Sequence, residues 1–203
     1  MHDQARDFTL FVKQIAPSYF INKKVLDVGS GDINGNNRFL FEDCDYSGND
    51  VILADNVTIV SKTSALQIGN NTFDTIISTE CFEHDPEYKL SFLKIYDMLK
   101  PGGMFCFTCA STGRAEHGTR RTTPGDSYGT VGYIDDMIDY YKNLTINDIQ
   151  EVLNLDESFV SWNSYYNSHS KDLYFVGVKK GGEATVEKLD KYITSHVTDT
   201  TSH

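Results

Sequence analysis

The chain has 203 residues, 39% of them hydrophobic, and a net charge of −11 at neutral pH. Its length fits one domain with a full core, and its acidity argues against general nucleic-acid binding, which needs clustered Lys and Arg. No apolar run reaches the ~18 residues of a membrane-spanning helix, and "MHDQARDFTL" has no apolar signal core, so a cytoplasmic location is expected.

Residues 4 to 16 place Phe8, Leu10, Phe11, Val12 and Ile15 at helical spacing, and Pro17 stops the run. "KKVLDVG" is a buried strand that ends in glycine. "NNRFLFED" predicts a short helix capped at Asn36 or Asn37. "DYSGND", "NVTIV" and "FDTIIST" read as the second, third and fourth strands. "DPEYKLSFLKIYDMLKPGG" is a helix that starts at Pro86 and ends at Lys100-Pro101-Gly102-Gly103. "MFCFTCAS" is the fifth strand. Alternation of strand and helix specifies a parallel sheet with helices packed on its faces. Cys106 and Cys109 form a C-x-x-C, but residues three apart on a strand point to opposite faces. Buried, reduced thiols are therefore expected there.

The pattern then changes. Residues 111 to 130, "STGRAEHGTRRTTPGDSYGT", have no apolar periodicity and read as a long loop. Such loops inside compact domains are usually functional. A helix is expected at "TINDIQEVLNL" with Thr145 as its cap. "FVSWNSYYN" and "DLYFVGVKK" then finish the sheet antiparallel. The polar residues 181–203 are expected to hold a short helix at 183–193 and to fray beyond it. One domain, 1–180, with a polar tail, 181–203, is the expected organisation.

"KVLDVGSGDINGNNRFLF" puts Gly29, Gly31 and Gly35 at the carboxyl end of the first strand, where open parallel sheets bind ligands. A dinucleotide fingerprint would need glycine where Asn34 stands, and a P-loop is absent. The pattern present is Asp27-x-Gly29-x-Gly31. It resembles the first motif of class I S-adenosylmethionine-dependent methyltransferases, of the small-molecule, methyltransferase-11-like type. Asp50 ends the second strand, 19 residues after Gly31. "NNTFDTIISTECFEH" is similar to the family's fourth-strand segment, and "MLKPGGMFCFTC" to its helix, Pro-Gly-Gly turn and fifth strand. The four segments occur in the family's order over residues 24 to 110.

The resemblance implies an α/β fold: a Rossmann-like, doubly wound sheet of about seven strands, mostly parallel with an antiparallel last strand. It implies S-adenosyl-L-methionine as cofactor and S-adenosyl-L-homocysteine as product. The implied cofactor residues are Asp27, Gly29, Ser30, Gly31, Asp50, Val51, Ser64, Ala65, Thr79 and Glu80. Asp27 would help position the cationic end of the cofactor, and Asp50 would accept the ribose hydroxyls. An acid that many members carry near the adenine is missing from "SKTSALQIG", which leaves Ser64 and Ala65 for that contact.

Catalytic candidates are His84, Glu80 and His117. A histidine titrates in the range of a general base, although positioning alone can drive much of a methyl transfer. Arg114, His117, Arg120, Arg121 and Tyr128 are the expected acceptor contacts, for a small molecule such as a sugar or an anionic metabolite. Arginine takes carboxylate or phosphate bidentately. "HGTRR" offers one His without a ligand partner at useful spacing, so no metal is expected. Two rivals stand beside this reading: a dinucleotide-dependent Rossmann enzyme, and a cofactor-binding module without turnover. The oligomeric state is not encoded in any motif.

Overall fold

In the computed structural model, which describes residues 1–182 and 200–202, the strands join into one sheet. β1 (Lys24–Val28), β2 (Asp45–Asp50), β3 (Ile59–Val60), β4 (Phe73–Thr79) and β5 (Leu99–Ala110) run parallel. β6 (Phe159–Asn167) and β7 (Asp172–Lys179) form a hairpin, and β7 inserts antiparallel between β5 and β6. β8 (Thr200–Ser202) pairs antiparallel with β6. The order is β3-β2-β1-β4-β5-β7-β6-β8. The expected architecture is present, with β8 as one strand more, at the end of the tail where fraying was expected. The helix expected at 183–193 lies outside the described residues.

Two apolar layers hold the sheet. On one face α1 (Asp3–Ile15) buries Phe8 and Val12, and Phe8 stacks on Tyr174 with ring centroids 4.6 Å apart. On the other, α2 (Tyr88–Met98) buries Phe92, Ile95 and Met98 among Phe82, Phe105 and Phe107. Cys106 belongs to the first layer and Cys109 to the second, both as free thiols. Their opposite orientation follows from the strand's twofold period.

Local departures from expectation have simple causes. Leu99–Gly103, read as a helix end and turn, already belongs to β5, because Leu99 pairs with Phe73. The segment after the glycine loop is a single 3-10 turn, Arg38–Leu40, preceded by Asn37. The long loop ends in a 3-10 turn, Pro124–Ser127, and a short helix, α3 (Tyr128–Tyr133). The next helix is split into α4 (Ile146–Gln150) and α5 (Leu155–Ser158). Thr145 caps α4 in a reciprocal box with Asp148. Among the described residues no helix is long and apolar enough to cross a membrane.

Register places the site. Val28 lies opposite Asn49 and Ser78, Thr79 opposite Thr108, and Ala110 opposite Asp172. Gly29, Asp50, Glu80, Ser111 and Asp172 therefore share one edge of the sheet. Asp172 reaches it because β7 runs backwards, so its first residue meets the carboxyl ends of the parallel strands.

Candidate functional site

A cavity of about 480 Å³ opens at that edge, in the size range of small-molecule sites. One wall is the glycine loop. Gly29 has φ +70°, and a Cβ there would lie 2.5 Å from the Cβ and Sγ of Cys81, so only glycine fits. The Gly31 amide donates to Asp50 Oδ2 at 2.9 Å, and the Val51 amide donates to Oδ1 at 2.7 Å. Asp50 thus anchors the loop from the end of the next strand. A Cβ at Gly31 would sit 2.9 Å from Asp50 Oδ2 and displace that carboxylate. Burial raises the Asp50 pKa, against the amide hydrogen bonds that lower it.

Asp27 lies beneath the loop, buried. Asn37 Nδ2 donates to its Oδ1 at 3.0 Å, and the Tyr46 hydroxyl donates to its Oδ2. Burial raises its pKa to about 6, partly offset by these donors. Asn37 also donates to Thr79 Oγ1 at 3.2 Å, while its own Oδ1 is buried without a partner at the cavity wall. An orphaned acceptor beside a buried carboxylate has the chemistry to take hydrogen bonds from a cationic donor.

Glu80, the first residue after β4, has φ +54°, a conformation that costs an L-residue on the order of 1 kcal/mol or more and is often found at functional sites. Thr108 Oγ1 donates to its Oε1 at 2.8 Å. Its Oε2 lies 3.2 Å from His2 Nε2, which is also 3.0 Å from Asp172 Oδ2. Burial disfavours a charge on His2, but the two carboxylates outweigh it and raise its pKa to about 10. Burial likewise works against ionised Glu80, and His2 overcomes it and holds that carboxyl below its ordinary value. Arg114 Nη1 donates to Asp172 Oδ1 at 3.2 Å and to the Ser170 carbonyl at 2.6 Å. Of this His2–Glu80–Asp172–Arg114 network, His2, Glu80 and Arg114 line the cavity.

His84 and His117 meet edge-to-face with centroids 5.1 Å apart, and Tyr141 packs on both. Burial, with His117 beside it, lowers the His84 pKa to about 4, so its imidazole is neutral at physiological pH.

The fold brings Asp27, Gly29, Ser30, Gly31, Asp50, Val51, Thr79, Glu80, His84, Arg114 and His117 to one cavity. Ser64 and Ala65 are not part of its lining. The Ser64 hydroxyl donates to Glu87 instead, and Ser61 and Thr63 are the residues of that stretch that face the cavity. Arg120 and Arg121 also stay outside. Both are exposed, and they pair with Asp139 and Glu116 at 2.5 and 2.9 Å. Acids of the same loop region neutralise them, which spacing along the chain does not reveal. Tyr128 opens α3, and its side chain lies outside the described residues. Sequence reasoning missed His2, Asn37 and Asp172. Only Asn37 left a signal, as the expected helix cap.

Residues 26–107 match the family model described as a methyltransferase domain. The chain resembles that family over this segment. Phosphoethanolamine N-methyltransferase 2 of Caenorhabditis elegans is 32% identical over 96 residues, which are 46% of this chain and 20% of that protein. Among solved structures, phosphoethanolamine N-methyltransferase 2 of Haemonchus contortus, in complex with phosphomonomethylethanolamine and S-adenosylhomocysteine, superposes with a TM-score of 0.60 at 17% identity. It matches 87% of this chain and 53% of that one. The 1,6-didemethyltoxoflavin-N1-methyltransferase of Burkholderia thailandensis gives 0.57 at 16% identity, over 87% and 80% of the two chains. The fold is the class I methyltransferase fold. The chain spans about a fifth of the curated relative and about half of the Haemonchus chain.

Proposed function

We propose that the chain transfers a methyl group from S-adenosyl-L-methionine to a small polar acceptor. The observation that carries this reading is the Gly29–Gly31 loop tied to Asp50, beside a buried Asp27–Asn37 pair whose one free acceptor faces the cavity. Those residues fit the cofactor. Asp27 and Asn37 Oδ1 suit its ammonium, Asp50 its ribose hydroxyls, and Val51, Ile52, Ser61 and Thr63 line the space left for the adenine. When bound, the cofactor supplies an electrophilic methyl group on a sulfonium.

The chain's own residues position and enclose. The loop 111–130 contributes Arg114, Glu116, His117 and Ser127 to the lining of the cavity. Holding two reactants in line and excluding water supplies much of such a reaction's rate. Neutral His84 is too weak a base to take a proton from an ammonium, so it serves as a hydrogen-bonding contact for the acceptor. Glu80, held ionised below its ordinary pKa by His2, is a weak base as well and serves as a hydrogen-bond acceptor at this end.

An acceptor with an anionic group is supported by Arg114, which lines the cavity while Asp172 and the Ser170 carbonyl share its Nη1, and by the phosphoethanolamine enzymes among the relatives. Calorimetry with S-adenosylhomocysteine against NAD tests the cofactor, and expected affinity is micromolar or better for the first only. Turnover with a panel of phosphorylated amines, sugars and carboxylates separates an enzyme from a module that only binds. No heat and no thermal shift at millimolar S-adenosylhomocysteine would defeat the reading.

A further inference from the structure

We propose that Glu83, His84 and His117 form a binding site for a divalent transition-metal cation of the zinc type, beside the acceptor end of the cavity. Each residue offers one ligand atom, and these atoms lie within 4.8 Å of one another. Glu83 is fully buried, and neither carboxylate oxygen makes a well-formed hydrogen bond, although the amides of Glu83 and Ala110 approach it. His84 Nδ1 is also buried without a partner. A carboxyl group shut away from water and paired with no cation is expensive to keep. A divalent cation would remove that penalty.

The surroundings orient the ligands. His117 Nδ1 lies 3.1 Å from the Ala115 carbonyl, which selects the tautomer with the proton on Nδ1 and a lone pair on Nε2. Nε2 is the atom that faces Glu83 Oε1, at 4.0 Å. A metal-ligating histidine commonly donates its second ring nitrogen to a backbone carbonyl in this way. The Tyr141 hydroxyl donates to the same carbonyl at 3.1 Å and its ring packs against both imidazoles, so the shell is braced. A cation about 2.0–2.2 Å from each ligand would draw Glu83 and His117 together by roughly 0.6 Å.

Two imidazoles and one carboxylate suit zinc, cobalt, nickel or ferrous iron rather than calcium or magnesium. Three protein ligands leave a position open. His84 and His117 both line the cavity, so that position faces it and would take water or an oxygen of the bound acceptor. The site itself stands on the cluster alone; the acceptor oxygen rests on the methyl-transfer reading.

Protein freed of metal with a chelator is titrated with Zn²⁺ by calorimetry and with Co²⁺ by visible absorption. The expected result is one saturable equivalent per chain, with Co²⁺ bands of low-coordinate nitrogen and oxygen ligation. His117→Ala and Glu83→Gln are each expected to lower affinity by about tenfold or more. His169→Ala, at an exposed loop position, is expected to change nothing. Circular dichroism of each variant establishes that it is folded. Absence of saturable binding at about 100 μM cation, or affinity unchanged in folded His117→Ala, would overturn the site. S-adenosylhomocysteine binding is measured on the same samples. Zn²⁺ binding without it would leave the metal site standing and the methyl-transfer reading fallen, and the converse result would do the reverse.

Discussion

Asp50 has two jobs that one substitution can separate from folding. Its carboxylate holds the Gly31 and Val51 amides and, in the proposed complex, both ribose hydroxyls. Hydrogen bonds to a charged group contribute about 1.5–3 kcal/mol each. Asp50→Ala is expected to weaken S-adenosylhomocysteine binding by about 2–3 kcal/mol, roughly 30- to 140-fold. Calorimetry on a folded variant with an unchanged dissociation constant would place the ribose elsewhere. Asp27 gives a pH signature. Its folded pKa of about 6 exceeds the ordinary 3.8, so the folded state keeps this proton after the unfolded chain has lost it. Its contribution to stability therefore falls as pH rises between the two values and stays low above them, by on the order of 3 kcal/mol. Asp27→Asn is expected to remove that fall. Urea midpoints for both proteins from pH 4 to 7 should diverge in the variant's favour as pH rises, and parallel curves would refute the assignment. Arg120 and Arg121 pair with acids in solvent. Arg120→Ala and Arg121→Ala are expected to leave the melting temperature and S-adenosylhomocysteine binding unchanged within error, since such exposed pairs are screened. A loss of binding would mean that the loop closes further when a ligand enters.

At the scale of elements, the site depends on how β4 ends. The strand is buried through Thr79; then Glu80 turns left-handed, and the 3-10 turn Phe82–His84 carries two of the proposed metal ligands. Phe82 pins that turn to α2, with its ring 4.5 Å from Phe92, and Phe92 lies 5.2 Å from Phe107 on β5. The helix thus braces the site through an aromatic cluster without touching the cavity. Phe92→Ala should cost about 3–5 kcal/mol. It should also weaken Zn²⁺ binding, because Glu83 and His84 would lose their fixed support. Chemical denaturation measures the first effect and calorimetry the second. A stability loss under 1 kcal/mol would mean that the cluster collapses around the void.

For the whole molecule, the cavity joins parts of the chain that are distant in sequence: α1's cap at His2, the carboxyl ends of β1, β2 and β4, and the loop after β5, while Asp172 at the start of β7 contacts the lining residue His2. A ligand bound there should stabilise the protein as one unit. At 100 times its dissociation constant, S-adenosylhomocysteine is expected to add about 2.7 kcal/mol. For a chain of this size that corresponds to a rise in Tm of roughly 5–10 °C. NAD at the same concentration should give none. Differential scanning fluorimetry checks both, and an equal shift with NAD would favour the dinucleotide reading.

Local signals in the sequence determined the order of strands and helices, the glycine loop with Asp27 and Asp50, and the opposed cysteines. Each depends on backbone period, turn chemistry or an interval of a few residues, and the chain cannot hide those. Tertiary structure alone decided the charge pairing. Arg120 and Arg121 looked free until Asp139 and Glu116 were beside them, and Ser64 looked available until Glu87 took its hydroxyl. It also decided that His117, alone in "HGTRR", meets Glu83 and His84, and that Asp172 meets His2 and Glu80. Those meetings depend on an antiparallel β7 and on a loop folding back across the sheet edge. Side-chain contacts between residues 33 or 170 positions apart follow from packing, which no local pattern of residues encodes.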